Sequence, residues 1–253
     1  MADAMLEALL QTAVSETSVI DTMLNIQGLQ KTTLLDYPGC VAATVFFGGC
    51  NMRCPFCHNM DIVENCQKPQ YSNRDILDFL SKRGGILDGV CITGGEPTLY
   101  PELPSFIAKI KELGLKVKLD TNGTNPQMLI NLVKDNLIDY VAMDIKSSPA
   151  IYGKACGIEN IILTPIKESI DFLLSGNIEY EFRTTAVDEF LPFEAISDIG
   201  TLIKGAKRYY LQGYVESEFV PDKSLHAVSK EKLLQYVQEL SKSIDLVEIR
   251  GID

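Results

Sequence analysis

Long hydrophobic runs are missing from this chain of 253 residues. No stretch of about 18 consecutive apolar residues occurs, so the sequence predicts no membrane-spanning helix. The first basic residue is Lys31, and the amino-terminal region therefore lacks the positive charge of a secretory signal and the arginines of a transit peptide. We expect a protein without a membrane segment or a targeting sequence.

Basic charge is also scarce. The formal net charge is −11, and the longest basic grouping consists only of Lys204, Lys207 and Arg208. Proteins that bind nucleic acids through phosphate contacts need larger basic clusters than this one. Nucleic-acid binding is therefore not expected.

A disulfide framework is not indicated either. Of the seven cysteines, three lie within eight residues, and the other four are the scattered Cys40, Cys66, Cys91 and Cys156. Cys91 lies in an apolar run and is interpreted as a small buried hydrophobic residue. Unpaired cysteines in such an arrangement are typical of a reducing compartment, which predicts a cytoplasmic protein.

The order of apolar segments predicts the fold. From residue 26 to residue 253, strands alternate with amphipathic helices, as in a parallel sheet with right-handed crossovers. Six strands precede the last predicted helix, residues 230–240, in which Leu233, Leu234 and Val237 are predicted to face inward. The predicted fold class is α/β, a partial (β/α)6 barrel with a parallel sheet in one domain. Residues 1–25 are predicted to be a short N-terminal extension.

Three cysteines form the most informative motif. Cys50, Cys54 and Cys57 have the spacing C-x3-C-x2-C and follow an apolar strand and two glycines, which allow the backbone to bend. Cysteine thiolates hold iron–sulfur clusters, usually four to a cube; three without an obvious fourth predict a cube with one open iron. A zinc site that adds His58 is an alternative, although adjacent Cys57 and His58 would meet one tetrahedral ion with difficulty. Unrelated cysteines are a further alternative.

Polar motifs follow the next strands, at the edge where barrel enzymes carry their chemistry. Gly94-Gly95-Glu96-Pro97 ends one strand, and its glycines would let a ligand approach the backbone, although such tetrapeptides are often plain turns. Asp120-Thr121-Asn122-Gly123 and Asp144-Ile145-Lys146 end two later strands, where an aspartate can instead cap the following helix. Arg183 lies inside an apolar strand and needs a partner or a ligand for its charge.

The cysteine loop, with aromatic Phe56 before its third cysteine, resembles the signature of the radical S-adenosylmethionine (SAM) superfamily. The resemblance implies a 4Fe–4S cluster whose open iron is chelated by SAM, and reductive cleavage of SAM to methionine and a 5′-deoxyadenosyl radical. Gly94, Gly95 and Glu96 resemble the GGE motif of the superfamily. The implied cofactor-binding set is Phe56, His58, Gly94, Gly95, Glu96, Asp120, Thr121, Asn122, Asp144, Lys146, Arg183 and Gln212.

From about Gly28 to Gly251 the chain is most similar to the activating proteins of anaerobic ribonucleoside-triphosphate reductase and other glycyl-radical-enzyme activases. The resemblance implies hydrogen abstraction from a glycine of a partner glycyl radical enzyme. It also implies that Asp120 and Asp144 help to hold a monovalent cation, that Lys146 contacts SAM and that Arg183 reaches the ribose. Gln212 stands where one branch of the activases has a histidine.

The resemblance also bears on redox partners. Cys57 and Gly94 are 37 positions apart, too few for an inserted ferredoxin-like domain, so one cluster is expected. The electron donor is expected to be a flavodoxin or a ferredoxin, which Lys204, Lys207 and Arg208 are predicted to dock. Two alternatives to the activase function are a radical SAM enzyme with a small-molecule substrate and a non-catalytic metal-binding or iron–sulfur module.

Overall fold

The computed structural model describes residues 23–64 and 68–252, and the predicted N-terminal extension lies almost wholly outside them. An eight-stranded sheet forms its centre, and the strands follow one another in chain order. The strands are β1 (Ile26–Thr33), β2 (Ala42–Phe47), β3 (Gly89–Gly94), β4 (Lys116–Thr121), β5 (Tyr140–Asp144), β6 (Glu179–Ala186), β7 (Arg208–Gly213) and β8 (Leu246–Arg250).

Helices connect successive parallel strands. They are α1 (Met60–Glu64), α2 (Asn73–Ser81), α3 (Leu103–Glu112), α4 (Pro126–Lys134), α5 (Tyr152–Cys156), α6 (Thr164–Leu174), α7 (Phe193–Leu202) and α8 (Lys230–Leu240), with short 3-10 helices at Pro97–Leu99 and Asp188–Phe190. None of the helices in the described ranges is long and apolar enough to cross a membrane.

The sheet topology agrees with the predicted partial barrel. β1 pairs antiparallel with β2, and every later neighbouring pair is parallel. The parallel strands therefore end at one common edge, where the polar motifs of the sequence follow them. β8, which comes after the last helix, extends the sheet beyond the six strands of the predicted (β/α)6 unit.

Local sequence signals explain where several helices begin. Ser72 caps α2 in a capping box, since its hydroxyl accepts from the Asp75 N–H while the Asp75 carboxylate accepts from the Ser72 N–H. Asn125 caps α4 through the Met128 N–H, with Pro126 in the first turn. Ser229 caps α8 in the same way. These caps fix the helices that lie between the strands.

The core lies between the sheet and the helices, and one detail differs from the sequence prediction. Leu233 of α8 is completely buried, but Leu234 is 52% exposed. Residues adjacent in a helix point about 100° apart, so the buried stripe that holds Leu233 and Tyr236 leaves Leu234 at its margin. The prediction that Leu234 faces inward is wrong.

Candidate active site

The loop that carries the three cysteines leaves the end of β2 and is fixed by backbone hydrogen bonds on both sides. The Gly48 N–H donates to the Asn25 carbonyl (2.7 Å), and the Gly49 N–H donates to the Ile62 carbonyl (2.9 Å). The Tyr100 hydroxyl donates to the Gly48 carbonyl at 2.6 Å. The glycines thus bend the chain, as predicted, and their polar groups are bound by three separate segments.

The glycines at the end of β3 pack directly on this loop. The Gly95 N–H donates to the Phe47 carbonyl (2.7 Å), and the Glu96 N–H donates to the Gly49 carbonyl (2.9 Å). Gly94 has a φ of +113°, and a β-carbon there would lie 2.4 Å from the Phe47 carbonyl oxygen. Only glycine fits at this position, because the two loops approach each other backbone to backbone.

A third glycine contact was not foreseen from the sequence. Gly157, which follows α5, has a φ of +70°, and a β-carbon there would lie 2.0 Å from the Arg53 carbonyl oxygen. The Arg53 N–H donates to the Cys156 carbonyl at 2.9 Å. In the sequence, a glycine directly after a short helix predicts only an ordinary helix end, so its contact with Arg53 could not be inferred.

A cavity of about 230 Å³ opens where the cysteine loop meets the ends of the strands. Every predicted site residue except Glu96 lines it, and they come from elements far apart in sequence. These are Cys50, Cys54, Phe56, Cys57, His58, Gly94, Gly95, Asp120, Thr121, Asn122, Asp144, Lys146, Arg183 and Gln212.

The cavity has five further lining residues that sequence reasoning missed: Met52, Asn59, Val63, Thr93 and Thr185. Thr93 and Thr185 belong to β3 and β6, and a threonine near a strand end gives no signal of its own. Asn59 directly follows His58 in the cysteine loop, and its side-chain amide donates to the Gly94 carbonyl at 3.3 Å.

Glu96 is the predicted site residue that does not line the cavity. Its side chain is completely buried. One carboxylate oxygen accepts from the Thr98 N–H at 3.1 Å and from the Thr121 hydroxyl at 2.8 Å. The other accepts from the Asn122 N–H at 2.6 Å. The carboxylate therefore joins the ends of β3 and β4 instead of lining the cavity, and its predicted contact with the cofactor stays a prediction.

Side chains of opposite charge alternate in a row, which we call the charge row: Lys118, Asp120, Arg183, Asp144 and Lys146. All of them except Lys118 line the cavity, and Lys118 pairs with Asp120. Arg183 bridges the two aspartates, with nitrogen–oxygen distances of 3.0 Å to each. Lys146 pairs with Asp144 at 2.9 Å. The partner that the sequence required for Arg183 is thus a pair of carboxylates.

Both aspartates of the charge row are ionised. Burial alone would raise the pKa of Asp144, but Lys146 and Arg183 outweigh it and hold that pKa at about 2. Asp120 is governed in the same way, since Arg183 and Lys118 overcome its burial and lower its pKa. Burial likewise disfavours the charged form of Lys146, and Asp144 more than reverses this, so the pKa of Lys146 is raised. Each charge depends on its neighbours.

The three thiols line the same cavity, and thiols are the side chains that bind iron–sulfur clusters. Within the described residues, no three His, Cys, Asp or Glu side chains are already gathered closely enough to hold a metal ion. All three thiols belong to free cysteines. Burial raises the pKa of Cys54 to about 12 and also raises the pKa values of Cys50 and Cys57. The unliganded side chains are therefore neutral thiols, and iron would have to displace their protons. The Cys50 sulfur accepts from the Met52 N–H at 3.4 Å, and the Asn122 amide lies 3.9 Å from it.

The loop that follows β7 lies against the cysteine loop. The His58 ring nitrogen Nε2 is 2.8 Å from the Val215 carbonyl oxygen, and its ring packs on Tyr214. The Asp222 N–H donates to the Pro55 carbonyl at 3.0 Å. His58 therefore anchors this loop from the rim of the cavity, while Gln212, near the end of β7, lies within the cavity.

The predicted docking group for an electron donor lies at the other edge of the sheet. Arg208 is the first residue of β7, whereas the cavity is at the carboxyl ends of the strands. Arg208 and Lys207 also share one counterion, Glu179, at 2.8 and 3.9 Å. The structure does not bring this group to the cysteine loop, and docking there stays a prediction.

The fold and site together define a partial α/β-barrel enzyme with a three-cysteine cluster loop and a charged cofactor cavity. The model of the Radical SAM superfamily matches residues 44–189, more than half of the chain. The chain belongs to the radical SAM superfamily. Membership implies a 4Fe–4S cluster and SAM as cofactors.

Relatives narrow the class further. The chain is 33% identical over 236 residues to a Methanocaldococcus jannaschii protein assigned to the glycyl-radical enzyme activating enzymes, covering 90% of this chain and 96% of that one. It is 32% identical over 129 residues to the pyruvate formate-lyase-activating enzyme of Clostridium pasteurianum, covering 48% of this chain and 52% of that one. The protein is a radical SAM enzyme homologous to the glycyl-radical enzyme activating enzymes.

Solved structures agree on the fold. A domain of a pyruvate-formate lyase-activating enzyme from Bacteroides vulgatus has a TM-score of 0.53 at 18% identity, covering 64% of this chain and 99% of that one. SuiB of Streptococcus suis has a TM-score of 0.61 at 14% identity, covering 81% of this chain and 47% of that one. At these identities the likeness concerns the fold alone.

Proposed function

We propose that the protein abstracts a hydrogen atom from a backbone glycine of a partner glycyl radical enzyme, and that the partner is an anaerobic ribonucleoside-triphosphate reductase. The observation that carries the activase assignment is the identity to the Methanocaldococcus jannaschii protein, which extends over 90% of this chain and 96% of that one. The ribonucleotide reductase is inferred from the motifs around the cysteine loop and the ends of β4 and β5.

The residues that would hold the cofactors line a single cavity. Cys50, Cys54 and Cys57 would bind three irons of one 4Fe–4S cluster, and their thiols face the cavity. SAM would be held by charged residues that line the same cavity: Asp120, Asp144, Lys146 and Arg183. When bound and reduced, the cluster supplies the electron that cleaves SAM and so generates the organic radical that abstracts hydrogen.

The chain itself binds and orients rather than acting as an acid or base. Lys146 offers an ammonium to an anionic group, since its pairing with Asp144 keeps it charged. Gly94 and Gly95 expose backbone at the strand end, where side chains would block a ligand. Asn122 is held by Glu96 through its N–H and by Asn51 through its amide (2.9 Å), which fixes the side of the cavity beside Cys50.

Exclusion of water is the other task of the cavity walls. Phe56 is 5% exposed and packs on Phe190 with ring centroids 5.8 Å apart. Met52, 2% exposed, adds an apolar surface. Such walls protect a reactive intermediate from solvent.

We propose a flavodoxin or a ferredoxin as the electron donor.

The test is anaerobic reconstitution with iron and sulfide, followed by reduction with dithionite in the presence of SAM. We expect slow formation of 5′-deoxyadenosine alone, and a glycyl radical detectable by electron paramagnetic resonance when the ribonucleotide reductase is added. A reductase whose radical-site glycine is replaced by alanine is the matched control. Cleavage of SAM without radical transfer to the reductase would refute the partner, and intact SAM would refute the enzyme assignment.

A further inference from the structure

The carboxylate of Asp120 is completely engaged by the chain. One oxygen accepts from the Lys118 ammonium and from the Cys91 thiol (3.7 Å). The other accepts from the Arg183 guanidinium (3.0 Å) and from the Thr93 hydroxyl (3.1 Å). An ionised carboxylate has about four lone-pair positions, and all of them have a donor here.

Asp144 has its own protein cations. Its Oδ1 accepts from Arg183 through Nε, with the second terminal nitrogen also at 3.0 Å. Its Oδ2 accepts from Lys146 at 2.9 Å. Each aspartate oxygen that the family resemblance offers to a monovalent cation is thus already bonded to Lys118, Arg183 or Lys146. A monovalent cation bound there would compete with these side chains for the same oxygens.

Lys118 is the member of the charge row that is enclosed by the protein. It is 1% exposed, and its side chain is among the largest completely buried ones of the described residues. Its other neighbour is the Cys91 sulfur, at 3.6 Å. The ammonium is therefore a counterion of Asp120 that the fold itself supplies, unlike a cation taken from solvent.

The balance of charge leads to the same conclusion. The charge row holds three cations and two carboxylates, a net charge of +1. A metal cation between the aspartates would raise this to +2 in a buried site, where like charges repel strongly. Without it, the row keeps one excess positive charge for the carboxylate of SAM, which is the only anionic group of a molecule that also carries an ammonium and a sulfonium.

We propose that Lys118 takes the place of an exchangeable monovalent cation in this protein, so that SAM binds without sodium or potassium. Lys118 is a positioning residue in this proposal: it holds Asp120, which in turn holds Arg183 facing the cavity. The inference rests on SAM binding beside the charge row, as in the proposed function.

The experiment compares SAM binding by calorimetry to the cluster-reconstituted protein in potassium, sodium and choline chloride at equal ionic strength. We expect the dissociation constants of the wild-type protein to agree within about twofold, because the side-chain cations supply the charge. Weaker binding by tenfold or more in choline would overturn the proposal, since about 1.4 kcal/mol of cation binding would then be missing. This comparison needs no variant.

The Lys118→Met variant tests the role of the lysine directly. In choline chloride we expect it to bind SAM about tenfold more weakly than the wild type, because one charged hydrogen bond is lost. In potassium or sodium chloride we expect its affinity for SAM to recover. Lys111→Met is the matched control. The Lys111 ammonium pairs with an Asp139 carboxylate oxygen at a distance of 2.7 Å, and neither residue lines the cavity. A Lys118→Met protein that is equally impaired in all three salts would overturn the proposal, since the lysine would then act on stability alone.

Thermal unfolding in the same three salts separates this inference from the proposed function. A protein that binds a cation only when folded becomes more stable when that cation is present. We expect equal melting temperatures for the wild-type protein without SAM, and a rise with potassium for Lys118→Met only. Absence of SAM binding in every salt would refute the proposed function, while a potassium-dependent wild-type melting temperature would refute the role of Lys118.

Discussion

Gly95 lies against Gly49 so closely that a β-carbon on Gly95 would come within 1.8 Å of the Gly49 carbonyl oxygen. The same carbonyl accepts the hydrogen bond from the Glu96 N–H. Two Gly-Gly segments that are 46 positions apart, at residues 49 and 95, therefore interlock. Their contact sets the distance between the cysteine loop and the strand end across the cavity.

Gly95→Ala is expected to separate these two segments. The added methyl group meets backbone rather than a flexible side chain, so the loop must shift, and we expect a loss of about 2–4 kcal/mol in the free energy of unfolding. Chemical unfolding and the absorbance of the reconstituted cluster measure the two effects. Gly84→Ala is the control, because its β-carbon would have only one ordinary contact, at 3.5 Å. An alanine variant with normal stability and cluster content would contradict this account.

Replacement of Cys50, Cys54 or Cys57 by alanine is expected to abolish the cluster absorbance and all cleavage of SAM. Each thiol lines the same cavity, and a cube that keeps one iron open for SAM needs all three. Cys40→Ala is the control, since Cys40 packs with Tyr37 and Tyr140 in a separate small cluster of the core. Activity in any of the three loop variants would refute the cluster assignment.

The sequence predicted the order of the strands and the residues at their ends, because alternation and strand-end motifs are local patterns. It could not predict where the Glu96 carboxylate lies, because this is set by hydrogen bonds from Thr121 and Asn122, which are 25 and 26 positions away. The same holds for Gly157, whose importance comes from Arg53. The pairing of Lys118 could not be predicted either, since only the folded sheet shows that its partner Asp120 is also bound by Arg183.

Asp144→Asn is expected to weaken SAM binding by about tenfold and leave the cluster intact. The substitution removes the negative charge that pairs with Lys146 and Arg183, and a charged hydrogen bond is worth about 1.5–3 kcal/mol. Calorimetry with SAM gives the affinity, and iron content reports the cluster. Asp188→Asn serves as the control, because its partner Lys232 lies on α8. Unchanged affinity would show that the charge row does not face SAM.

The pair formed by His226 and Glu189 predicts a pH dependence of stability. The imidazole Nδ1 is 2.7 Å from a carboxylate oxygen. Hydrogen bonding to Glu189 raises the pKa of His226. For Glu189, burial raises the pKa of the carboxyl group, but the hydrogen bonds from His226 outweigh it and lower that pKa. Stabilisation by the raised histidine is complete below its unfolded pKa of about 6.5 and is lost as the pH rises through its folded value.

The stabilisation by Glu189 depends on pH in the opposite direction. It is present above the unfolded glutamate pKa of about 4.3 and is lost as the pH falls through the lowered folded value. The pair should therefore stabilise the loop after β7 most between about pH 4.5 and 6.5. Urea unfolding of the wild type and His226→Ala should differ more at pH 5.5 than at pH 8.5, which lie about one unit below and about two units above the unfolded histidine pKa of about 6.5. The same comparison in a Glu189→Gln background is the control, and a difference that persists there would contradict the pairing.

The last strand is tied to the sheet by a buried charge. Arg250 of β8 reaches across Tyr210 of β7 and binds both carboxylate oxygens of Glu181 on β6, at 2.9 and 3.1 Å. Glu181 is 1% exposed, and its carboxylate also accepts from the Tyr140 hydroxyl at 3.0 Å. Arg250→Met should therefore leave a buried carboxylate without its cation and cost about 2–4 kcal/mol, somewhat less than for a fully buried pair because Arg250 is partly exposed.

Glu181→Gln in the same chain should recover part of this loss, because the unpaired charge is then removed. Urea unfolding of the two single variants and the double variant measures the coupling. Hydrogen exchange of the β8 amides should accelerate in Arg250→Met and slow again in the double variant. Additive losses would show that the pair does not hold β8, and that the strand depends on its backbone hydrogen bonds to β7 alone.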